Sequence, residues 1–260
     1  MDPVIVRSLL LIIAYFTAFF VVAQIIRNNS IVDIGWGIGF VIVAWFSLFS
    51  AGYLTTRGLI MTGLVTVWGV RLFYHIIKRN WGKPEDFRYA NWREEWGRYV
   101  VVRAFFQVFM LQGLMMMLIA TPILLVNVSP DTAFGVMEMF GLAVWLIGFF
   151  FEAVGDKQLA DFLQDPANRG KVMKSGLWRY TRHPNYFGEA TMWWGLFILG
   201  LSVQNGIFGI ISPLVITNLL LFVSGVPMLE KKMMQKPEFV EYAKETSVFF
   251  PWFPKLKRDR

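Results

Sequence analysis

The stretch VIVRSLLLIIAYFTAFFVVAQII, running from Val4 to Ile26, decides the fold. Apart from Arg7 it carries no charge, and it exceeds the roughly 20 apolar residues that cross a bilayer core. Backbone N–H and C=O groups in hydrocarbon have only one another as partners, so a run of this kind is a helix. It has no basic n-region and no small-x-small cleavage site before the next apolar run, so it reads as a first span and not as a cleavable signal peptide.

The same pattern recurs along the chain. Further spans are expected at Ile31–Phe49, Leu59–Ile77, Val102–Val126, Phe134–Val154, Ala190–Val203 and Gly206–Val226. Only Gln204 and Asn205 break the last two apart, which suits a tight helical hairpin. The expectation is an all-α, polytopic integral membrane protein of about seven transmembrane helices, forming a single transmembrane domain over residues 1–260. Composition agrees: 56% of the residues are hydrophobic and only 17% are charged, too few to coat a soluble domain of this size. Cysteine is absent, which excludes disulfides, iron–sulfur clusters, thiolate zinc sites and cysteine nucleophiles. The two histidines, His75 and His183, lie on different segments, and no metal site is expected.

The net charge of +7 belongs to the loops and does not form a stripe for nucleic acid. Lys78, Arg79, Lys83, Arg88, Arg93, Arg98 and Arg103 fall between the third and fourth spans or at the start of the fourth. Lys157, Arg169, Lys171, Lys174, Arg179 and Arg182 link the fifth and sixth. Lys231, Lys232, Lys236, Lys244, Lys255, Lys257, Arg258 and Arg260 occupy the C-terminal tail, whereas Asn127–Ala133 has no Lys or Arg. Seven spans put all three basic segments on one side, which the positive-inside rule makes cytoplasmic, with the N-terminus outside. No targeting element directs the chain elsewhere, so the expected location is a bacterial inner membrane with the active site facing the cytoplasm.

Charged groups at membrane depth face a partner or a cavity. Asp33, Arg71, Glu152, Asp156, Glu189 and Glu230 gather near the inner ends of their spans, while Glu138 sits at the opposite end of the fifth. Asp33 and Arg71 are candidates for an ion pair between neighbouring helices. Trp68, Arg71 and His75 share one helix face by their spacing. Gly35-Trp36-Gly37-Ile38-Gly39 reads as a surface for close helix packing, not as a dinucleotide fingerprint, because no βαβ unit surrounds it.

The densest chemistry lies in Ser175-Gly176-Leu177-Trp178-Arg179-Tyr180-Thr181-Arg182-His183-Pro184-Asn185-Tyr186-Phe187-Gly188-Glu189. Arginine forks suit phosphate, aromatic rings can stack on a planar heterocycle, and Pro184 stands where a helix can start with free N–H groups. The alternative is a rigid juxtamembrane anchor.

With Asp165-Pro166-Ala167-Asn168-Arg169-Gly170 and the Tyr242–Pro251 stretch, this loop resembles the steroid 5α-reductase-like superfamily, most closely its uncharacterised bacterial branch. The resemblance is strongest over about 141–254 and reaches the N-terminal half through Val32-Asp33-Ile34-Gly35-Trp36-Gly37 and Trp68-Gly69-Val70-Arg71-Leu72. It implies NADPH as cofactor and reduction of a conjugated C=C bond (an enone) in a lipophilic, steroid- or isoprenoid-like substrate, within a membrane-lipid environment. By that resemblance Asp156 and Asn185 contact the cofactor, Tyr186 helps to orient it, and Arg179 and Arg182 neutralise its phosphates. Glu152, Arg169, His183 and Glu189 complete the expected cofactor set. The acid of the second helix falls at Asp33, expected to donate a hydrogen bond to the substrate carbonyl. Trp68 stands where the reductases carry a tyrosine, leaving Tyr74 or His75 as substitutes. The catalytic set is therefore Asp33, Trp68 and Tyr74. Isoprenylcysteine and phospholipid methyltransferases share the Arg182, His183, Pro184, Tyr186 and Gly188 core, so S-adenosylmethionine-dependent lipid or prenyl methylation is the alternative. Against it, those enzymes carry paired glutamates after the last span, where this chain reads Leu229-Glu230-Lys231.

Overall fold

A computed structural model of the chain describes residues 2–130 and 134–255; the tail cations Lys257, Arg258 and Arg260 lie outside the described residues. Helices account for nearly all regular structure, and no strand occurs among the described residues. The helices are α1 (Pro3–Ile26), α2 (Ile31–Ser50), α3 (Thr56–Asn80), α4 (Phe87–Trp96), α5 (Val100–Ala104), α6 (Leu111–Ile119), α7 (Thr121–Asn127), α8 (Val136–Gln164), α9 (Pro184–Leu199), α10 (Ile211–Asn218), α11 (Val226–Met233) and α12 (Pro237–Glu245). Six helical stretches are long and apolar enough to cross a membrane: Pro3–Ile26, Ile31–Ser50, Thr56–Asn80, Phe87–Ile119, Val136–Gln164 and Gly206–Met233. The protein is thus a polytopic, all-α integral membrane protein. The remaining expected span, Ala190–Val203, corresponds to α9, which starts earlier, at Pro184, and has 16 residues.

Two differences from the hydropathy reading have local causes. The basic link after α3 is not a loop throughout, because Asp86 accepts from the Arg88 N–H (3.0 Å) and caps a new helix, α4. Glu138, out of place as a functional acid, accepts from the Gly135 N–H at 2.8 Å and caps the first turn of α8.

The described chain divides into two compact units, residues 1–134 with 202–211 and residues 135–201 with 212–260. In the first, α2 and α3 meet backbone to backbone at Gly37 and Gly69. A Cβ on Gly37 would lie 2.5 Å from the Gly69 carbonyl oxygen, and one on Gly69 2.6 Å from that of Gly37. Gly35 and Gly39 face Phe19 and Met116 instead, so each of the three glycines of this stretch admits a close neighbour. Beyond this contact the Asn127 amide on α7 donates to the Ala44 carbonyl (3.0 Å) and Ser47 Oγ (2.8 Å) on α2, a buried polar tie within the bundle.

The second unit is built on α8 and α9, which run antiparallel. Gly141, Gly148 and Gly155 recur every seven residues on α8, and Gly188 and Gly195 do so on α9. A Cβ on Gly141 would stand 2.6 Å from the Leu199 nitrogen, on Gly148 2.5 Å from that of Met192, and on Gly195 2.6 Å from that of Trp145. Gly188 would collide in the same way with the Glu152 backbone. In lipid there is no hydrophobic drive to press helices together, so close backbone approach and its dispersion contacts supply the adhesion. Gly155 closes the row against Pro184 and Asn185, at the mouth of the loop that carries the candidate chemistry.

Gly188→Ala is expected to lower the thermal unfolding midpoint of the detergent-solubilised protein, by an amount equivalent to about 1–3 kcal/mol of overpacking. Gly63→Ala on α3, where an added Cβ meets nothing within 4 Å, is the control and is expected to leave the midpoint unchanged or raise it.

Candidate functional site

The loop from Lys171 to His183 is folded by contacts within the second unit. Gly176 has φ of +60°, a conformation open to glycine at no cost, and from there the chain makes a short 3-10 turn over Gly176–Arg179. The Leu177 N–H donates to Gln158 Oε1 at 2.9 Å, and the Trp178 indole N–H donates to the Gly155 carbonyl at 3.0 Å, which pins the turn to α8. From the other side the Tyr242 hydroxyl donates to the Trp178 carbonyl, and burial pushes the Tyr242 phenol well up from its ordinary value, so it stays a neutral donor.

Arg182 and His183 then turn inward onto Glu230. Arg182 Nε and Nη2 form a fork on the two Glu230 oxygens at 2.7 and 3.1 Å, and Nη1 donates to the carbonyls of Ala243 (2.9 Å) and Thr246 (2.7 Å). His183 Nε2 lies 2.9 Å from Glu230 Oε1, and its ring stacks on Tyr186 with the planes 9° apart. Only 6% of the Arg182 side chain and 13% of the Glu230 side chain reach the surface. Arg182, expected to neutralise phosphate, instead has its guanidinium facing the interior, with four of its five N–H donors held by Glu230, Ala243 and Thr246. Glu230 reaches this place because the last apolar stretch is interrupted. A π-helical turn at Leu219–Val223 ends at Ser224 and Gly225, and α11 starts at Val226. A Cβ on Gly225 would collide with the Leu220 carbonyl, so the break requires glycine.

Asn185, in the first turn of α9, faces α8. Its Nδ2 donates to Asp156 Oδ1 at 3.0 Å. A carboxylate only accepts, so this bond fixes which way the amide points. Its Oδ1 is buried and has no hydrogen-bond partner among the described residues. A buried acceptor without a donor is costly, and it is the kind of group a bound ligand satisfies. Glu152, one turn before Asp156, is likewise buried on α8. Arg169 and Arg179 are exposed, and Glu189 and Tyr186 are half-buried on α9. The structure thus brings Asp156 and Asn185 into contact, and His183 and Tyr186 into a stack, while Arg169 and Arg179 stay at the surface.

The first unit holds the other candidates. Asp33 meets Arg88, not the expected Arg71: Arg88 Nη2 donates to Asp33 Oδ2 at 3.0 Å and the Tyr89 hydroxyl to Oδ1 at 2.7 Å. Arg88 also holds Asp86 through Nε at 2.8 Å, so a carboxylate, a guanidinium and a phenol are fixed together. Asp33 thus accepts from both the Arg88 guanidinium and the single Tyr89 O–H, and within this cluster Tyr89 is the donor. Trp68 is 2% exposed with its ring edge-on to Phe40, and Tyr74 is 64% exposed on the outer face of α3. Neither makes a hydrogen bond to Asp33. Tyr89, Arg88 and Glu230 are absent from the expected site set, although Glu230 stands among the acids at the inner ends of the spans. The signal for the first two was the N-cap at Asp86, hidden inside a segment read as a basic link.

The family described as Protein of unknown function (DUF1295) matches residues 19–246. An uncharacterized protein of Schizosaccharomyces pombe is 25% identical, across 86% of this chain and 73% of its own length. The 3-oxo-5-alpha-steroid 4-dehydrogenase 1 of Mus musculus is 33% identical over 73 residues, 28% of each chain. The enzyme of that name from Homo sapiens is 28% identical over 115 residues, 44% of this chain and 41% of the enzyme. The matched segments therefore span less than half the length of the steroid enzymes. No solved structure matches the chain.

Removing Glu230 leaves a buried guanidinium with carbonyl partners alone. Glu230→Ala is expected to cost about 3–5 kcal/mol, read as a large fall in the unfolding midpoint. Lys157→Ala, which breaks the exposed pair with Asp161, is expected to change it by about 0–1 kcal/mol.

Proposed function

The chain belongs to the DUF1295 family, within the steroid 5α-reductase-like superfamily, and from that premise we propose that it is a membrane reductase. It uses NADPH to saturate the conjugated C=C bond of a lipophilic enone, steroid- or isoprenoid-like in character. The observation that carries this reading is the buried Asn185 Oδ1, held as a bare acceptor by the bond from its own amide nitrogen to Asp156. A carboxamide N–H₂, such as the one on a nicotinamide ring, is the donor that fits it.

The other residues of the loop suit the same ligand. Arg179 and Arg169, exposed and on either side of Lys171 and Lys174, are the guanidinium groups available to phosphates. Tyr186, kept flat by its stack on His183, and Asp156 orient the ribose and ring end. Glu230 and Arg182 hold the loop in shape from behind. When bound, the reduced nicotinamide supplies the hydride for the electron-poor carbon of the enone. In the first unit the Tyr89 O–H is the proton donor of the Asp33–Arg88 cluster, and it would turn from Asp33 Oδ1 to donate to a substrate carbonyl as negative charge develops on its oxygen. In this reading the loop and the C-terminal tail are cytoplasmic and the N-terminus outside, which the distribution of Lys and Arg supports through the positive-inside rule.

Thermal shift of the detergent-purified protein separates the readings. A ligand bound only by the native state raises stability by RT ln(1 + [L]/Kd). NADPH is expected to raise the midpoint, Asn185→Ala to abolish that rise, and Tyr89→Phe to keep it while slowing NADPH oxidation in the presence of an enone. A midpoint raised by S-adenosylmethionine alone would reassign the loop to methyl transfer.

A further inference from the structure

The segment after α12 carries three aromatic side chains for which neither the fold nor the proposed chemistry has a use. From Ser247 to Lys255 the chain is extended and irregular, and Phe250, Trp252 (72% exposed) and Phe253 (77% exposed) stand outside any helix. This is not a frayed end. The Arg182 N–H donates to the Ser247 carbonyl at 2.9 Å, and Thr181 Oγ1 donates to the carbonyls of Val248 (3.2 Å) and Phe249 (2.9 Å). The Trp252 N–H donates to the Tyr180 carbonyl at 2.9 Å, and the Lys255 N–H to the Glu245 carbonyl at 2.9 Å. Pro251 and Pro254 flank Trp252 and Phe253, and each restricts the backbone before it to extended conformations. The segment is a strap with its backbone held at both ends and most of the surface of Phe250, Trp252 and Phe253 left exposed.

Its surroundings say what covers those rings. Phe249 and Phe250 both pack edge-on against Phe187, in the first turn of α9. Because α9 lies glycine to glycine and antiparallel along α8, a helix of spanning length, the strap sits where α9 begins and beside the C-terminal part of α8. Rings with an apolar body and, in Trp252, a polar edge belong in the headgroup layer of a bilayer. The charge is complementary to anionic lipid. The Tyr180 ring meets Phe253, and Lys255 ends the strap, followed in the sequence by Lys257, Arg258 and Arg260.

We propose that the Ser247–Lys255 strap is an interfacial anchor that seats Phe250, Trp252 and Phe253 among the headgroups of an anionic phospholipid leaflet. Through its bonds to Tyr180, Thr181 and Arg182, the same strap transmits that attachment to the loop ahead of α9. The anchor stands independently of the reductase reading, since no cofactor or substrate enters it.

The absence of cysteine makes the test clean. Trp252→Cys and, separately, Phe253→Cys in the full chain carry a polarity-sensitive fluorophore, with Ala167→Cys as the water-exposed control. Each is reconstituted into vesicles of phosphatidylcholine alone or with phosphatidylglycerol, both containing a headgroup-level nitroxide lipid as quencher. The strap labels are expected to emit at shorter wavelength than the control and to be quenched severalfold more by the nitroxide lipid. That quenching is expected to deepen with phosphatidylglycerol and to weaken in high salt. Water-like emission without lipid quenching at both strap positions would overturn the proposal. So would burial that appears in detergent and grows with protein concentration, since a second copy would then cover the strap. Quenching indifferent to phosphatidylglycerol would overturn the anionic preference.

Discussion

The close approach of α8 and α9 is the constraint on which the second unit depends. Five glycines, in two seven-residue rows, let two backbones touch where ordinary side chains would hold them apart. That contact sets the spacing and rotation of the pair, and so determines that Asp156 on α8 faces Asn185 on α9. The amide geometry of the candidate site is thus a consequence of residues with no side chain. An aliphatic residue anywhere in the row would move the polar groups apart without touching them.

Around this frame the loop is stabilised from the inside. Burying Arg182 and Glu230 removes both charges from water, and their mutual attraction offsets that cost only with good geometry and additional bonds. The geometry here is good: a fork on both carboxylate oxygens, two carbonyls on the remaining guanidinium nitrogen, and His183 on the same carboxylate. The arrangement ties together three separate pieces of chain, the loop, α11 and the residues around the end of α12. A network of this kind contributes more to a unique shape than to net stability. Unique shape is what a loop before a helix N-terminus needs if it is to present one acceptor in one direction.

Much of the architecture was legible in the sequence because hydrocarbon is a demanding solvent. Long uncharged runs have no alternative to helix, and the first three spans, from Val4 to Ile77, correspond to helices within three residues, whereas the fourth is divided at Ala120 and α8 runs on to Gln164, past the expected Val154. Loop chemistry was legible where residue types are rare in membranes, as in Arg182-His183-Pro184-Asn185. What composition could not reveal was partner choice. Asp33 had several cations within reach along the chain, and only the cap at Asp86, which converts a supposed link into α4, brings Arg88 and Tyr89 to it. Arg182 looked like a phosphate ligand because exposed and buried arginines read alike until a carboxylate is found for them. The glycine rows were visible as spacing, yet an apolar reading treats glycine as filler, and its meaning emerges only when a second helix is placed against it.

The seven-residue rows also bear on how such a hairpin can change over evolutionary time. Glycine meets backbone at intervals of one heptad, so a shifted pairing of α8 and α9 would restore the contacts only after sliding by about 10 Å. Single insertions or deletions within either row have no neighbouring register in which to settle. Length variation among relatives should therefore be confined to the connection between the two helices, around Asp165–Lys174, where Gly170 already adopts a positive φ in open space. The membrane-embedded part of the hairpin changes by substitution alone, while that connection is free to change in length.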